Sequence, residues 1–387
     1  MKVTCNLSEF QSALSLAGRA ISKRAVLPVL SHVLLQTDGN GLIVAGTDLE
    51  TSIRVGIYAR VDEPGAITAP FYTLQPLAGV LEGQDVTLSV NGNATLLVGA
   101  GRMNANVKGF EAKEFPPVPD YSVASITDPG FVSLEIPTAA LCKAIARTVI
   151  SACKVDENRP TLTAVYLHRL DDCLALAAAD GFRMSRCKTD VAVGEGFTGL
   201  LVPASALEEA GRMIAGQADT TRIAFKPGDP HVTFLAGTVQ LTATLMEGKF
   251  PDISDVIPKE HAVLVIASAA ELKRAVKTAM VFAREEQGHT IRLAIGENKM
   301  TLLAENAVDG DQVTAVQACV TGKLEESTLP PGEFWLDGRY LRDLLDVIGT
   351  DDVCITGTSA SHPFTFRSAE DDGFVHVIMP QAGRSQG

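Results

Sequence analysis

The stretch LALAAADGFRMSR, residues 174–186, is an apolar run that ends in an acid, a glycine and an arginine. Taken alone, it reads as a strand that brings Asp180 and Arg183 to the rim of a pocket, with Asp180 as a candidate catalytic carboxylate. A wider frame changes that reading. Cys173–Asp180 (CLALAAAD) lines up with Gly41–Asp48 (GLIVAGTD) and Lys299–Asn306 (KMTLLAEN), each an apolar strand pattern closed by Asp or Asn, with the closing residues 132 and 126 positions apart. Self-similarity at a long fixed period marks a repeated structural unit.

Other features keep the period. Helical patterns start near Ser8, Pro137 and Ser268, and second helices near Pro70, Pro203 and Asp337. Each second helix is followed by a hairpin pattern: VTLSV-NGN-ATLLV from Val86, TRIAF-KPGDP-HVTFL from Thr221, and DVCIT leading to PFTFR. The 387 residues divide into three copies of about 129. Boundaries fall where proline and other turn residues interrupt the periodicity, in Phe115–Gly130 and Pro251–His261. The copies are expected at 1–125, 126–256 and 257–387. Consecutive strands joined by short turns imply antiparallel sheets, and two helices per copy imply helices on one side of a sheet. The expected class is α+β, three repeated domains, each with two helices packed on antiparallel sheet.

Repetition weakens the catalytic reading of Asp180. Active sites are rarely triplicated, whereas a strand-end Asp or Asn caps the next turn with its own side chain. Asp180 followed by Gly181 is such a turn signal. An enzyme reading with Asp48 and Asp180 as carboxylates meets further objections. The two lie in different copies, the third copy has Asn306, and no nucleophile or metal ligand accompanies them. The glycine-rich GAGRMN from Gly99 follows a hairpin rather than a strand entering a helix, so it lacks the context of a dinucleotide site.

The composition, 46% hydrophobic and 20% charged, is that of a globular chain. Met1-Lys2-Val3-Thr4-Cys5 lacks the start of a secretory signal, and no apolar run approaches the roughly 18 residues of a membrane span. A soluble, cytoplasmic protein is expected. The seven cysteines are scattered, odd in number and without a C-x-x-C pair, and the seven histidines form no ligand motif. Neither a disulfide framework nor a metal site is expected, and no cofactor.

The net charge of −13 speaks, taken whole, against a nucleic-acid partner. Its distribution says otherwise. On the first helix of the second copy, Lys143, Arg147 and Lys154 sit at offsets 0, +4 and +11, a narrow stripe opposite the face of Leu141, Ile145 and Val149. The third copy repeats the offsets with Lys273, Lys277 and Arg284. The first copy keeps only the last position, Arg24, and Arg24, Lys154 and Arg284 are 130 residues apart in each step. The helical windows carry thirteen basic against seven acidic residues. Lysines and arginines solvating a helix face are the ordinary explanation for one helix. Three registered copies in an acidic chain suit a polyanion held along the helices, with an acidic exterior that discourages binding elsewhere.

RAVLPVLSHVLLQ (24–36), GTDLE (46–50), ADGFRM (179–184), GKFPD (248–252) and VIMP (377–380), in this order and spacing, resemble the bacterial sliding clamp, the beta subunit of DNA polymerase III. The resemblance covers essentially the whole chain. It implies a ring of two head-to-tail chains with helices lining the hole, through which duplex DNA threads by sequence-independent phosphate contacts. Arg24, Lys143, Arg147, Lys154, Lys277 and Arg284 would face the DNA, with Arg102 on a hairpin turn as a further contact. The ring performs no chemistry and acts as a processivity factor for the DNA polymerase III catalytic subunit. Other implied partners are an ATP-driven clamp loader and further polymerases and repair proteins, which dock short peptides.

The resemblance also implies a peptide pocket walled by Leu162, Ala179, Gly181, Phe182, Arg183, Met184, Pro251, Val256, Val377, Ile378, Met379 and Pro380. Ring closure would use Ala105 and Val107 of the first copy against Phe282 of the third. Many relatives have Thr and His at the positions of Ala179 and Phe182, so the pocket is expected to be more apolar here. Relatives also tend to stop shortly after the Met-Pro pair, whereas this chain continues as a polar tail, Gln381–Gly387. A peptide-binding scaffold with no DNA role would keep the pocket and discard the stripe.

Overall fold

A computed structural model describes residues 1–22, 27–92, 94–121, 128, 130–197, 199–283, 289–306, 310–324 and 332–381. The described chain forms two compact units, Met1–Cys142 with Ser205–Leu245, and Lys143–Ala204 with Met246 onward. Each unit therefore combines part of the central repeat with one flanking repeat. Among the described residues there are six α-helices: α1 (Leu7–Ala17), α2 (Phe71–Val80), α3 (Thr138–Val149), α4 (Ala204–Ile214), α5 (Ala269–Phe282) and α6 (Gly338–Val347). None is long and apolar enough to cross a membrane.

The first unit holds a 13-stranded sheet in which neighbouring strands pair antiparallel. Its organising element is the 13-residue strand Thr51–Glu63. The start of this strand pairs with Val239–Thr244 of the central repeat, and its end pairs with Lys2–Cys5 of the first. Its other edge pairs with Gly41–Thr47. The second unit repeats the plan with a 12-stranded sheet. There Arg183–Ala192 pairs with Cys173–Ala179 on one side and with Phe374–Ile378 of the third repeat on the other. One strand thus carries the hydrogen-bond ladder from one repeat into the next. The hairpins expected from Val86, Thr221 and Asp352 are present as Asp85–Ala100, Thr220–Ala236 and Asp352–Ser368.

Helices α1, α5 and α6 start where side chains satisfy the first free N–H groups. Asn6 Oδ1 accepts from Ser8 N and Glu9 N at α1, and Asp337 Oδ1 accepts from Arg339 N at 2.8 Å at α6. Their buried faces alternate large and small residues: Phe10, Leu14, Ala13 and Ala17 on α1, Leu272, Val276, Ala275 and Ala279 on α5. Small residues let the helices lie close on the sheets. Just past α1, Gly18 makes room for the Phe71 ring of α2, since a Cβ there would stand 2.1 Å from that ring.

All seven cysteines are free, and no group of His, Cys, Asp and Glu with metal-site geometry occurs among the described residues. Burial pushes the Cys5 thiol up to about 12, with Glu9 and Asp85 adding to the shift, so it stays protonated.

Candidate peptide groove and cationic residues

The opening stretch builds one rim of a groove in the second unit. The apolar strand Cys173–Ala179 ends at Asp180, whose Oδ1 accepts from Phe182 N and Arg183 N, each at 2.9 Å, while Oδ2 accepts from Arg183 Nε at 3.0 Å. Asp180 N donates to Arg183 O at 3.1 Å, closing the turn. Gly181 sits at φ +91°, a left-handed conformation that glycine adopts without strain. Both carboxylate oxygens are committed to the turn and to Arg183. Asp180 is a structural cap.

The turn is locked to the neighbouring strand by Met379 N donating to Phe182 O at 2.8 Å. In register, Met184 faces Val377 and Arg183 faces Ile378. Successive side chains leave a strand on opposite faces. Met184, Val375 and Val377 form a buried apolar cluster, and Ala179, Ile253 and Ile257 pack on it. A second cluster of Ala164, Ala177, Leu201 and Phe250 shares Ala179 and Ile253 with the first. Exposed on this site are Phe182 at 63%, Met379 and Val256 at 37% each, and Pro251. Leu162 is buried and Pro380 half-buried. The arrangement is an apolar floor with apolar side chains standing half in water at its edge, which suits capture of a partner's apolar side chains.

Two of the residues expected on the wall point elsewhere, because the period of two sends alternate side chains to the opposite face. Arg183 reaches α6, where Nη1 donates to Asp343 Oδ2 at 2.9 Å and the guanidinium lies 4.2 Å from the Tyr340 ring centre. Ile378 is fully buried and belongs to neither groove cluster. Conversely, sequence reasoning missed Tyr166, Met246, Phe250, Ile253 and Ile257, which supply much of the apolar surface. A signal was present. Phe250, Ile253 and Ile257 recur at steps of three and four within FPDISDVIP, a segment from which only Pro251 and Val256 were expected on the wall. Arg159 also reaches the site, with Nη1 3.2 Å from where a Cβ on Gly181 would stand.

The cationic residues separate into groups. Arg24 and Arg284 lie outside the described residues. Arg102 is exposed on the turn between strands Thr95–Ala100 and Met103–Lys108. Lys154 and Lys277 are exposed and have no ion pair among the described residues. Lys143 is exposed but paired with Asp371 at 2.9 Å, and Lys273 with Asp346 at 2.7 Å. Arg147 departs from the expected stripe. Its side chain is 1% exposed, with Nη1 donating to Asp371 Oδ2 at 2.6 Å, Nη2 to Ile348 O at 2.5 Å and Nε to Val347 O at 3.4 Å. It also lies 4.7 Å from the Phe374 ring centre. The free carbonyls at the C-terminus of α6 and the Asp371 carboxylate draw the guanidinium inward. Burial alone would raise the Asp371 carboxyl, but hydrogen bonds from Lys143 and Arg147 outweigh it and hold the group at about 2.

Of the expected interface residues, Ala105 and Phe282 are half-buried, while Val107 is buried within its own unit, opposite Leu96. The strand of Ala105 and Val107, Met103–Lys108, is an edge strand, hydrogen-bonded only to Thr95–Ala100 among the described residues.

Three consecutive family models match: the N-terminal domain of the DNA polymerase III beta subunit at residues 1–119, the central domain at 135–252 and the C-terminal domain at 254–382. The beta sliding clamp of Synechococcus elongatus is 31% identical over 393 residues, covering the whole of both chains. The crystal structure of the DNA polymerase III subunit beta from Pseudomonas aeruginosa superposes with a TM-score of 0.88 at 26% identity, covering 99% of this chain and 100% of that one. A sliding clamp from Bacillus subtilis shares the fold with a TM-score of 0.90 at 22% identity, over 99% and 100% of the two chains. With its three repeats matched in order along nearly the full length, this chain belongs to the DNA polymerase III beta subunit family.

Proposed function

We infer that this protein is a DNA sliding clamp, a non-catalytic processivity factor that encircles duplex DNA without sequence specificity and tethers the replicative polymerase. The observation that carries the reading is the full-length match of all three repeats to clamp domains. A ring needs no chemistry at the primer end. It keeps a polymerase local and so converts rebinding into an event at high effective concentration.

The finer assignments belong to the same proposal. The domains run 1–125, 126–256 and 257–387, and two chains close head to tail, the edge strand near Ala105 of one meeting the Phe282 region of the other. A heterologous contact of this kind has to close on itself, or it would extend into a filament. Arg24, Arg102, Lys154, Lys277 and Arg284 contact phosphates, with Lys143 contributing from its pair with Asp371. The groove around Met184, Val377, Phe182 and Met379 takes short peptides from the polymerase III catalytic subunit, the ATP-driven clamp loader, other polymerases and repair proteins, in the cytoplasm. Its adaptable methionines suit several partners.

The test is topological. The protein should behave as a dimer of twice its 40.9 kDa chain mass. Loaded on nicked circular DNA it should be retained, and it should slide off once the circle is cut. Equal retention on circular and linear DNA would refute encirclement.

A further inference from the structure

The first unit contains a groove of about 360 Å³, bounded by Thr47, Leu49, Glu50, Ser52, Thr242 and Thr244 and by the wall Pro116–Pro119. It stands in its unit where the apolar groove stands in the second. Asp48 Oδ1 accepts from Glu50 N at 3.0 Å and Thr51 N at 2.7 Å, as Asp180 Oδ1 accepts from Phe182 N and Arg183 N. Asp48 N donates to Thr51 O at 3.2 Å, as Asp180 N does to Arg183 O at 3.1 Å. Thr244 N donates to Glu50 O at 2.8 Å, as Met379 N does to Phe182 O at 2.8 Å. Ser52 faces Thr242 in the ladder as Met184 faces Val377. The Phe115-Pro116 pair stands in the sequence order of Phe250-Pro251.

The frame is duplicated, but the side chains are not. Hydroxyls replace the apolar floor, with Ser52 for Met184, Thr242 for Val377 and Thr244 for Met379. Glu50 replaces Phe182, and Leu49 replaces Gly181. Leu49 holds φ +81°, the left-handed region that a leucine adopts only under strain, and its side chain is 55% exposed. A strained backbone that presents an apolar side chain to water does nothing for the fold, and such outliers concentrate at functional sites. Glu50 is exposed and has no ion pair among the described residues, while His231 on the same lining is bonded to Asp229 at 2.6 Å. With Asp48 beside it, the rim is acidic and repels nucleic acid. The prolines offer a flat apolar wall without N–H donors.

We propose that this groove binds a short linear segment of a partner protein, one that carries an aliphatic or aromatic side chain next to a lysine or arginine. The apolar side chain packs between Leu49 and the Pro116–Pro119 wall, and the cation meets Glu50. The occupant differs from that of the second unit, whose rim carries Phe182 and whose floor is apolar, so one clamp chain offers two grooves of different taste. The proposal rests on the reading of the second-unit groove as a peptide site.

The test uses the full-length protein with 13C-labelled leucine methyls, titrated with the octapeptide Ser-Gly-Leu-Phe-Lys-Lys-Gly-Ser, blocked at both ends, and with its Glu-Glu counterpart. The Leu49 resonance, assigned by its loss in Leu49→Gly, should shift saturably with the lysine peptide, and the Glu-Glu peptide should bind at least about tenfold more weakly. Glu50→Gln should weaken the lysine peptide about three- to tenfold. Leu49→Gly should raise the thermal midpoint by relieving the strain and should weaken binding about tenfold, read by fluorescence anisotropy. Met379→Ala should leave the Leu49 response unchanged, so failure of the second-unit reading shows separately, as unaltered polymerase-peptide docking in that variant. No saturable shift at Leu49 up to millimolar peptide, equal binding of the Glu-Glu peptide, or a Leu49→Gly protein that is more stable yet binds equally well would each overturn the proposal.

Discussion

Arg147 on α3 reaches Asp371 of the third repeat at 2.6 Å while two of its other nitrogens donate to carbonyls at the end of α6. It is a structural tie. Its loss leaves Asp371 with Lys143 alone and strands two carbonyls at the end of α6, so Arg147→Ala should destabilise the protein by about 2–4 kcal/mol in denaturant unfolding. Arg147→Lys should recover little, because a single ammonium cannot reproduce the spread of the guanidinium donors. A loss below about 1 kcal/mol for Arg147→Ala would contradict the assignment.

Helical offsets put Arg147 within 40° of Lys143, and on an isolated helix that inference is sound. What the offsets omit is α6, whose terminal carbonyls come from residues some 200 positions away. Tertiary acceptors of that kind leave no mark in local periodicity. The repeats, by contrast, were legible because Asp48 and Asp180 answer the same local need in the first two copies, capping a turn two and three residues ahead. The groove was legible in part. Met184 and Val377 follow from strand alternation once the pairing is known, but the pairing of Arg183–Ala192 with Phe374–Ile378 spans two repeats, and residue order alone does not separate them from their neighbours Arg183 and Ile378 on the alternate face.

If Asp48 and Asp180 are turn caps rather than carboxylates of one site, their losses should be alike and independent. Asp48→Ala and Asp180→Ala should each cost about 1–3 kcal/mol through unsatisfied N–H groups, the second at the upper end because Arg183 also loses a partner. The double variant should be additive within about 0.5 kcal/mol, since the sites share no partner. Strong coupling in a double-mutant cycle would argue against separate caps.

His376 sits between Val375 and Val377 with Nδ1 bonded to Ser185 Oγ at 2.7 Å, and Ser185 Oγ in turn lies 2.7 Å from Ser151 Oγ. Burial, with Arg183 adding repulsion, lowers the imidazole from 6.5 to about 3. The unfolded chain therefore takes up the proton first as pH falls. The stability contribution is complete above about 6.5 and is lost progressively toward 3. Between pH 6 and 4.5 the wild type should lose stability more steeply than His376→Gln, by up to about 1.4 kcal/mol per pH unit. Below about 4 a further loss is expected as Asp371, held at about 2, has to be protonated. Parallel curves for the two proteins above pH 4.5 would dismiss the role of His376.

Lys154 and Lys277 are exposed and unpaired among the described residues, so their replacement should leave stability within about 0.5 kcal/mol of wild type. If both meet phosphate, Lys154→Ala with Lys277→Ala should lower the slope of log affinity against log salt by about 0.9 for each residue, measured on duplex DNA of any sequence. An unchanged slope would remove them from the DNA-facing surface.

Met379 and Phe182 are joined through the backbone at 2.8 Å and both stand partly in water, so neither contributes much to the core. Met379→Ala and Phe182→Ala should therefore leave the thermal midpoint nearly unchanged, yet weaken binding of the organism's own polymerase III docking peptide by about 1–2 kcal/mol each, a factor of roughly 5–30. Phe182→His tests the edge more finely. A ring of smaller apolar area that can donate a hydrogen bond should favour peptides with a polar residue at the matching position over wholly apolar ones. Anisotropy titrations with two such peptides read the ratio directly. An unchanged ratio, together with full affinity in Met379→Ala, would move peptide docking away from this groove.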